Sequence, residues 1–150
     1  MRVAVGSDHR GFRVKAKLIE LLTRLGHTVD DHGTHDDNSV DYPDIARTVS
    51  RKVSTGGADY GILVCGSGIG MAIAANKFAG IRAATCRDEM EVEMSRQHNN
   101  ANVLCLSGDQ LSESRLERLV EVWISTQFDG GRHARRMKKI ARFEQNDEAR

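Results

Sequence analysis

A cysteine followed by alternating glycines, Cys65-Gly-Ser-Gly-Ile-Gly, is the stretch of this sequence best suited to chemistry. A thiol is a nucleophile or base once ionised, and one placed where a helix begins has its thiolate stabilised. Gly66, Gly68 and Gly70 permit backbone angles and close approaches that a Cβ would forbid. Their N–H groups, with the start of a helix behind them, could hold a phosphate, a carboxylate or an enediolate. Two other places carry titratable side chains: Ser7-Asp8-His9, and His98-Asn99. Taken singly, each has a plainer account. A lone cysteine is often a small buried hydrophobe, Asp8 could cap a helix, and His9 or His98 could cap a helix or face solvent. Sharing one cleft, they would supply a thiol, two imidazoles, a carboxylate and an anion cradle.

The elements that must position these groups follow from patterning. Arg2-Val-Ala-Val-Gly-Ser reads as a first strand, and Val14, Leu18, Leu21, Leu22 and Leu25 give Phe12 to Leu25 helical spacing. A short strand at His27-Thr-Val-Asp-Asp, a polar loop from His32 to Tyr42, and a helix opening at Pro43 come next. Ile62-Leu-Val ends in Cys65 as a third strand, and the glycine loop leads into Met71-Ala-Ile-Ala-Ala. Ile81 to Cys86 reads as a fourth strand, Asp88 to Arg96 as an acidic helix, and Asn102-Val-Leu-Cys-Leu-Ser as a fifth strand. Leu111 to Phe128 is amphipathic, with a width that suits either a core or an interface. A last helix is expected from about Arg132 to Phe143, and 146–150 as a disordered polar tail beyond a single domain over 1–145. Strands alternating with helices, and too apolar to face water, predict an α/β fold with a parallel sheet covered on both faces. Ligands then gather beyond the carboxyl ends of the strands, where Asp8, His9, Cys65, Gly66 and Ser67 fall.

Composition removes several alternatives. With a formal net charge of +1 and a charged fraction of 29%, the chain does not look like a nucleic-acid binder. No apolar run approaches a membrane span and the N-terminal run is too short for a signal peptide, so a cytosolic location is expected. Cys65, Cys86 and Cys105 are odd in number and lack paired spacing, which fits reduced thiols. His27, His32, His35, Asp36 and Asp37 crowd one loop without a metal-ligand motif and read as a solvated loop. The basic tract from Arg132 to Lys139 reads as a solvated helix face, within which Arg132 and Arg136 are four apart and could grip a phosphate together. The glycine series lacks the third glycine of G-x-G-x-x-G, and Gly6-Ser-Asp-His-Arg-Gly lacks the Lys-Ser/Thr of a P-loop, so no nucleotide signature is present.

Taken together, Gly6-Ser-Asp-His-Arg-Gly-Phe, Asp41-Tyr-Pro, Cys65-Gly-Ser-Gly-Ile-Gly, Ala74-Ala-Asn-Lys-Phe-Ala-Gly-Ile-Arg-Ala, Ser95-Arg-Gln-His-Asn-Asn and Gly130-Gly-Arg-His resemble, in order and spacing, the type B ribose-5-phosphate isomerases, a family that includes galactose-6-phosphate and allose-6-phosphate isomerases. The resemblance runs from Arg2 to about Phe143. It implies a Rossmann-like three-layer αβα sandwich with a five-stranded parallel sheet, and a homodimer, possibly a tetramer, with sites shared between chains. It also implies isomerisation of an aldose phosphate to a ketose phosphate without metal or cofactor. By matching position it makes Cys65 the base and His98 the ring opener, with Ser67 and Gly66 to Gly70, including Gly68 and Ile69, holding the enediolate. Asp8, His9, Tyr42 and Asn99 would contact substrate, and Arg132 and Arg136 its phosphate. Ribose 5-phosphate and ribulose 5-phosphate are the expected pair. The same chemistry on allose 6-phosphate, galactose 6-phosphate or a tetrose phosphate, or a non-catalytic sugar-phosphate binding module, are the alternatives. One departure stands out: Asp109 falls where many members carry a phosphate-binding arginine, and a carboxylate there would repel phosphate.

Overall fold

The structure is a computed structural model that describes the fold of residues 1–147 and the side chains of residues 1–145. Five strands, β1 (Arg2–Ser7), β2 (Thr28–Asp31), β3 (Tyr60–Cys65), β4 (Ala83–Thr85) and β5 (Val103–Ser107), form one sheet in the order β2-β1-β3-β5-β4. Every pairing is parallel, and β3 lies at the centre with Val5 opposite Ile62 and Cys65 opposite Ser107. Six helices connect and follow them: α1 (Phe12–Arg24), α2 (Tyr42–Ser54), α3 (Ile69–Ala75), α4 (Glu89–Gln97), α5 (Glu113–Ser125) and α6 (Gly131–Asp147).

The strand period of two divides the core. Val3, Val5, Ile62, Val64, Leu104 and Leu106 face α1, α4 and α5 and are fully buried there. The residues between them, Ala4, Leu63, Cys65, Val103 and Cys105, face α2 and α3 on the other side. The first face is the thicker, with Leu18, Leu21, Leu22, Leu116, Leu119 and Trp123 wholly enclosed. The apolar stripe of α5 is therefore core. On the second face α2 sits close to the sheet, because a Cβ on Gly61 would come within 2.8 Å of Val49. The result is the three-layer α/β sandwich that the sequence pattern and the resemblance lead one to expect.

Most boundaries fall within a residue or two of the sequence reading. The fourth strand is shorter than expected, Ala83–Thr85, since the Asn76 side chain bridges Ala83 through both its carbonyl and amide groups and Asn102 does the same for Arg82 and Gly80. Side-chain amides thus replace ladder bonds ahead of Ala83. The last helix continues past Phe143 to Asp147, so Asn146 and Asp147 are helical where a disordered tail was expected, and 148–150 lie outside the described residues. Asp88 caps α4, accepting from the Glu91 N–H at 2.8 Å, and Ser112 caps α5. Among the described residues no helix is long and apolar enough to cross a membrane.

α6 stands apart from this frame. Its polar surface is wide, with Arg132, Arg135, Arg136, Lys138 and Lys139 all exposed. It meets the rest of the chain through His133, through Met137 and Ile140 beside Ile81, and through the Glu144 carboxylate, which accepts the Gly80 N–H at 3.0 Å. Phe143 remains 64% exposed.

Candidate active site

Three loops leave the carboxyl edge of neighbouring strands β1, β3 and β5 and enclose a cleft of about 290 Å³. It is lined by Asp8 and Arg10 after β1, by Cys65, Gly66, Ser67 and Gly70 after β3, by Asp109 and Gln110 after β5, and by Tyr42 at the start of α2. This is where a parallel sheet places ligands, since chains diverge beyond the strand ends and helices begin there.

Cys65 is the last residue of β3 and only 5% exposed. The Gly68 N–H donates to its Sγ at 3.2 Å. Gly68 does so from a left-handed conformation (φ 78°), and a Cβ there would lie 3.0 Å from the Leu106 backbone. Both the turn and the close approach exclude other residues. The Ile69 N–H donates to the Ser67 hydroxyl at 3.2 Å. Among the described residues, the N–H groups of Ser67 and Gly70 have no protein acceptor. The loop itself is fixed from below, where the Ser107 hydroxyl donates to the Gly66 carbonyl at 2.6 Å and the Gly108 N–H to the Cys65 carbonyl at 2.8 Å. The Tyr42 ring covers Gly70 so closely that a Cβ would sit 2.6 Å from it.

Asp8 does not cap α1, whose N-cap is Gly11 without a side-chain bond. Its carboxylate, 5% exposed, accepts the Arg10 N–H at 2.9 Å and turns the loop in front of the helix. His9 is not among the residues that line the cleft, and its Nδ1 accepts the Val40 N–H at 3.3 Å. In the neutral ring the hydrogen therefore sits on Nε2. Ile69 is exposed beside the cleft and does not line it.

His98 and Asn99 lie elsewhere. α4 starts at the carboxyl edge and runs back along the sheet, so His98, its C-cap, emerges at the amino edge, just ahead of β5. Cys65 lies at the opposite end of strands about 17 Å long. Within one chain the thiol and this imidazole do not share a cleft. The sequence places a residue before a strand, but the direction of the intervening helix decides the edge.

At the amino edge His98 has its own company. Its ring stacks on that of His133, with centroids 4.3 Å apart and planes 8° from parallel. Asp129 is close by, and its N–H donates to the Gln97 carbonyl at 3.1 Å. Arg132 and Arg136 project from the first turns of α6 around them. Burial, then the charges of His98, Arg132 and Arg136, lower the pKa of His133, while Asp129 opposes them. His98, Asp129 and His133 bring their ligand atoms within 4.8 Å of one another. In nearly parallel stacked rings the nitrogen lone pairs run in separate planes and do not converge on one ion. The cluster is a positive, hydrogen-bonding surface suited to an oxyanion. Asn99 is exposed nearby, beside Met137 and Ala101.

Two residues in the first cleft were not singled out by their sequence pattern as a pair. Arg10 forms an ion pair with Asp109, so the carboxylate expected to repel phosphate is already matched by a guanidinium. The available signal was an arginine just after the first strand and an aspartate just after the fifth, both at the edge where ligands collect.

Residues 3–140 match the family described as Ribose/Galactose Isomerase. The chain is 41% identical over 144 residues to ribose-5-phosphate isomerase B of Escherichia coli, covering 96% of this chain and 97% of that one. It superposes on the ribose-5-phosphate isomerase B structure from Clostridium thermocellum with a TM-score of 0.96 at 42% identity, covering 97% and 99% of the two chains. The Mycoplasma genitalium enzyme crystallised with bound ribulose-5-phosphate matches with a TM-score of 0.93 at 40% identity, covering 96% of each. The cysteine and glycine cleft thus sits in a chain that belongs to the ribose/galactose isomerase family.

Proposed function

We propose that this protein interconverts D-ribose 5-phosphate and D-ribulose 5-phosphate, with Cys65 as the base. The observation that carries the reading is the thiol of Cys65 at the end of β3, inside a cleft whose glycine loop turns the Gly68 N–H toward it. The similarity to named ribose-5-phosphate isomerases, one of them holding ribulose-5-phosphate, supports the substrate pair.

In the open-chain aldose, the Cys65 thiolate takes the proton from C2, and the electron pair forms the C1–C2 double bond while the C1 carbonyl oxygen becomes an oxyanion. Ser67 and the backbone N–H groups of the loop hold that charge, which develops only as the proton leaves. The proton on O2 passes to O1, and the thiol returns its proton to C1 as the C2 carbonyl forms. The cyclic sugar must open first. His98 takes the proton from the anomeric hydroxyl and, as the imidazolium, gives it to the ring oxygen as the bond from C1 to that oxygen breaks, a task suited to imidazole.

For His98 to act on a sugar held at Cys65, a second copy must bring its amino edge to this cleft. A homodimer with composite sites accounts for the separation of the two clusters, for the sparse attachment of α6, and for exposed Ile69, Ile73, Met90, Met94 and Phe143. Arg132 and Arg136 of that copy would take the phosphate, and Asp8, Tyr42 and Asn99 would meet the sugar. His9 would act through the loop it holds. The three free, buried thiols accord with a reducing, cytoplasmic setting.

The test is a proton NMR time course in D₂O with ribose 5-phosphate, run on wild type and Cys65→Ala, with allose 6-phosphate as comparator. Conversion by wild type alone, with solvent deuterium entering the product, supports the reading. Preference for allose 6-phosphate would move it to a six-carbon sugar. Tight binding by both proteins without conversion would leave a sugar-phosphate binding module.

A further inference from the structure

Arg10 and Asp109 meet at a point where all three loops of the cleft come together. Arg10 belongs to the loop after β1, and its N–H is fixed on Asp8. Asp109 belongs to the loop after β5, and its N–H donates to the Gly66 carbonyl at 3.3 Å. Both side chains lie over Gly66: a Cβ there would be 3.1 Å from the Asp109 carboxylate and 3.2 Å from Cζ of Arg10. The pair therefore borders the residue next to Cys65. It is open to a ligand, with side chains 59% and 36% exposed.

The charges decide what kind of ligand group it suits. The cleft lining contains two carboxylates, Asp8 and Asp109, and one guanidinium, Arg10. Asp109 occupies one nitrogen of Arg10, and the remaining donors have no protein acceptor among the described residues. A phosphate dianion would meet more negative than positive charge here, whereas the amino-edge cluster offers it Arg132 and Arg136 without a matching excess of carboxylate. A hydroxyl both donates and accepts, and an arginine beside an aspartate presents N–H and carboxylate oxygen side by side. Resting on the isomerase reading above, we infer that Arg10 is a substrate-binding residue that reads a sugar hydroxyl, and that Asp109 is the positioning residue that aims it.

The two roles separate in steady-state kinetics on the full-length protein with ribose 5-phosphate. Arg10→Met should raise KM roughly tenfold or more, the loss expected when a charged group no longer bonds a substrate hydroxyl. Arg10→Lys should remain impaired, since it keeps the charge and loses the fork. Asp109→Asn should raise KM by less, and adding it to Arg10→Met should change little further, because its effect passes through Arg10. The inhibition constant of inorganic phosphate should stay within about twofold of wild type in each variant, a value set by Arg132 and Arg136 of the second copy. An unchanged KM for both Arg10 variants, with wild type active, would overturn the inference. Phosphate inhibition weakened in step with KM would overturn it too, by making Arg10 a phosphate contact. Failure of wild type to convert ribose 5-phosphate would instead remove the isomerase reading.

Discussion

The Arg96 guanidinium donates to the Tyr60 hydroxyl at 2.7 Å while its Cζ lies 4.8 Å from the centre of the same ring. Arg96 is 5% exposed, and its remaining donors reach the Ala101 carbonyl at 2.6 Å, the Asn100 side chain at 3.0 Å and the Thr126 carbonyl at 3.4 Å. One buried cation thus ties α4, the turn that carries His98, the start of β3 and the end of α5. Replacing it by Met strands several buried acceptors. We expect a loss of about 2–4 kcal/mol in urea unfolding, against about 1 kcal/mol for Tyr60→Phe. Equal stability of Arg96→Met and wild type would show that the network contributes nothing net.

The placement of Cys65 and His98 at opposite edges gives a complementation test. Cys65→Ala and His98→Asn homodimers should each be inactive. Mixed, dissociated and reassembled at equal amounts, they should regain about a quarter of wild-type activity, because half the dimers then hold one intact composite site of two. A site built within a single chain would regain nothing.

Thiol reactivity should single out one cysteine. Burial pushes the Cys86 thiol up to about 11, with Glu91 and Asp88 adding to the effect and a bond from Ser95 opposing it. Burial raises Cys105 well above its ordinary value. At pH 8 only about one Cys86 in a thousand is a thiolate. Iodoacetamide on the native protein should therefore alkylate Cys65, which lines the cleft, and peptide mass spectrometry should find Cys86 and Cys105 unmodified. Modification of Cys86 at the same rate would contradict its burial.

His133 should make the protein acid-sensitive in a defined window. Its folded pKa lies below the ordinary 6.5, so on acidification the unfolded chain binds the proton first. Stability is then whole above about pH 6.5 and falls as the pH drops through that value. Melting temperatures followed from pH 7.5 to 5.5 should decline more steeply for wild type than for His133→Gln. Parallel curves would remove His133 as the cause.

At the other end of the sheet, Lys15 is 3% exposed and its ammonium pairs with Asp31. Burial would raise the Asp31 carboxyl, but the bonds from Lys15 and the Gly33 N–H, with the charges of Lys15 and His35, outweigh it and hold it below 3.8. Asp31→Asn should cost about 2 kcal/mol at pH 7, discounted because Asp31 is partly solvated. The gap to wild type should begin to close as the pH falls through 3.8, where the unfolded chain gains the proton first, and be gone once the native carboxylate is protonated at lower pH. A gap unchanged at pH 3 would assign the loss to packing.

The layering was legible because its signals are local. Apolar runs at Val3–Val5, Ile62–Val64 and Val103–Leu106 announced buried parallel strands, and the Leu18, Leu21, Leu22 spacing announced a helix on one face. Cys65, Gly66, Ser67 and Gly70 could be placed together because they are neighbours in sequence. Arg10 and Asp109 are 99 residues apart, and their pairing depends on β1 and β5 flanking β3, a strand order that sequence periodicity does not contain. The edge at which His98 emerges was hidden for a related reason. Helical spacing identifies α4 without stating which end of the sheet it returns to.

The loose attachment of α6 has a consequence for how such an enzyme behaves on dilution. If, as proposed, a neighbour delivers the ring-opening imidazole and the arginines that grip the phosphate, a lone chain would carry a base with no sugar presented to it. Assembly would then be the switch for turnover, and a freshly made or dissociated chain would hold its thiol without generating an enediol that could decompose. Specific activity should fall with enzyme concentration near the dissociation constant of the pair, long before any strand of the sheet has come apart.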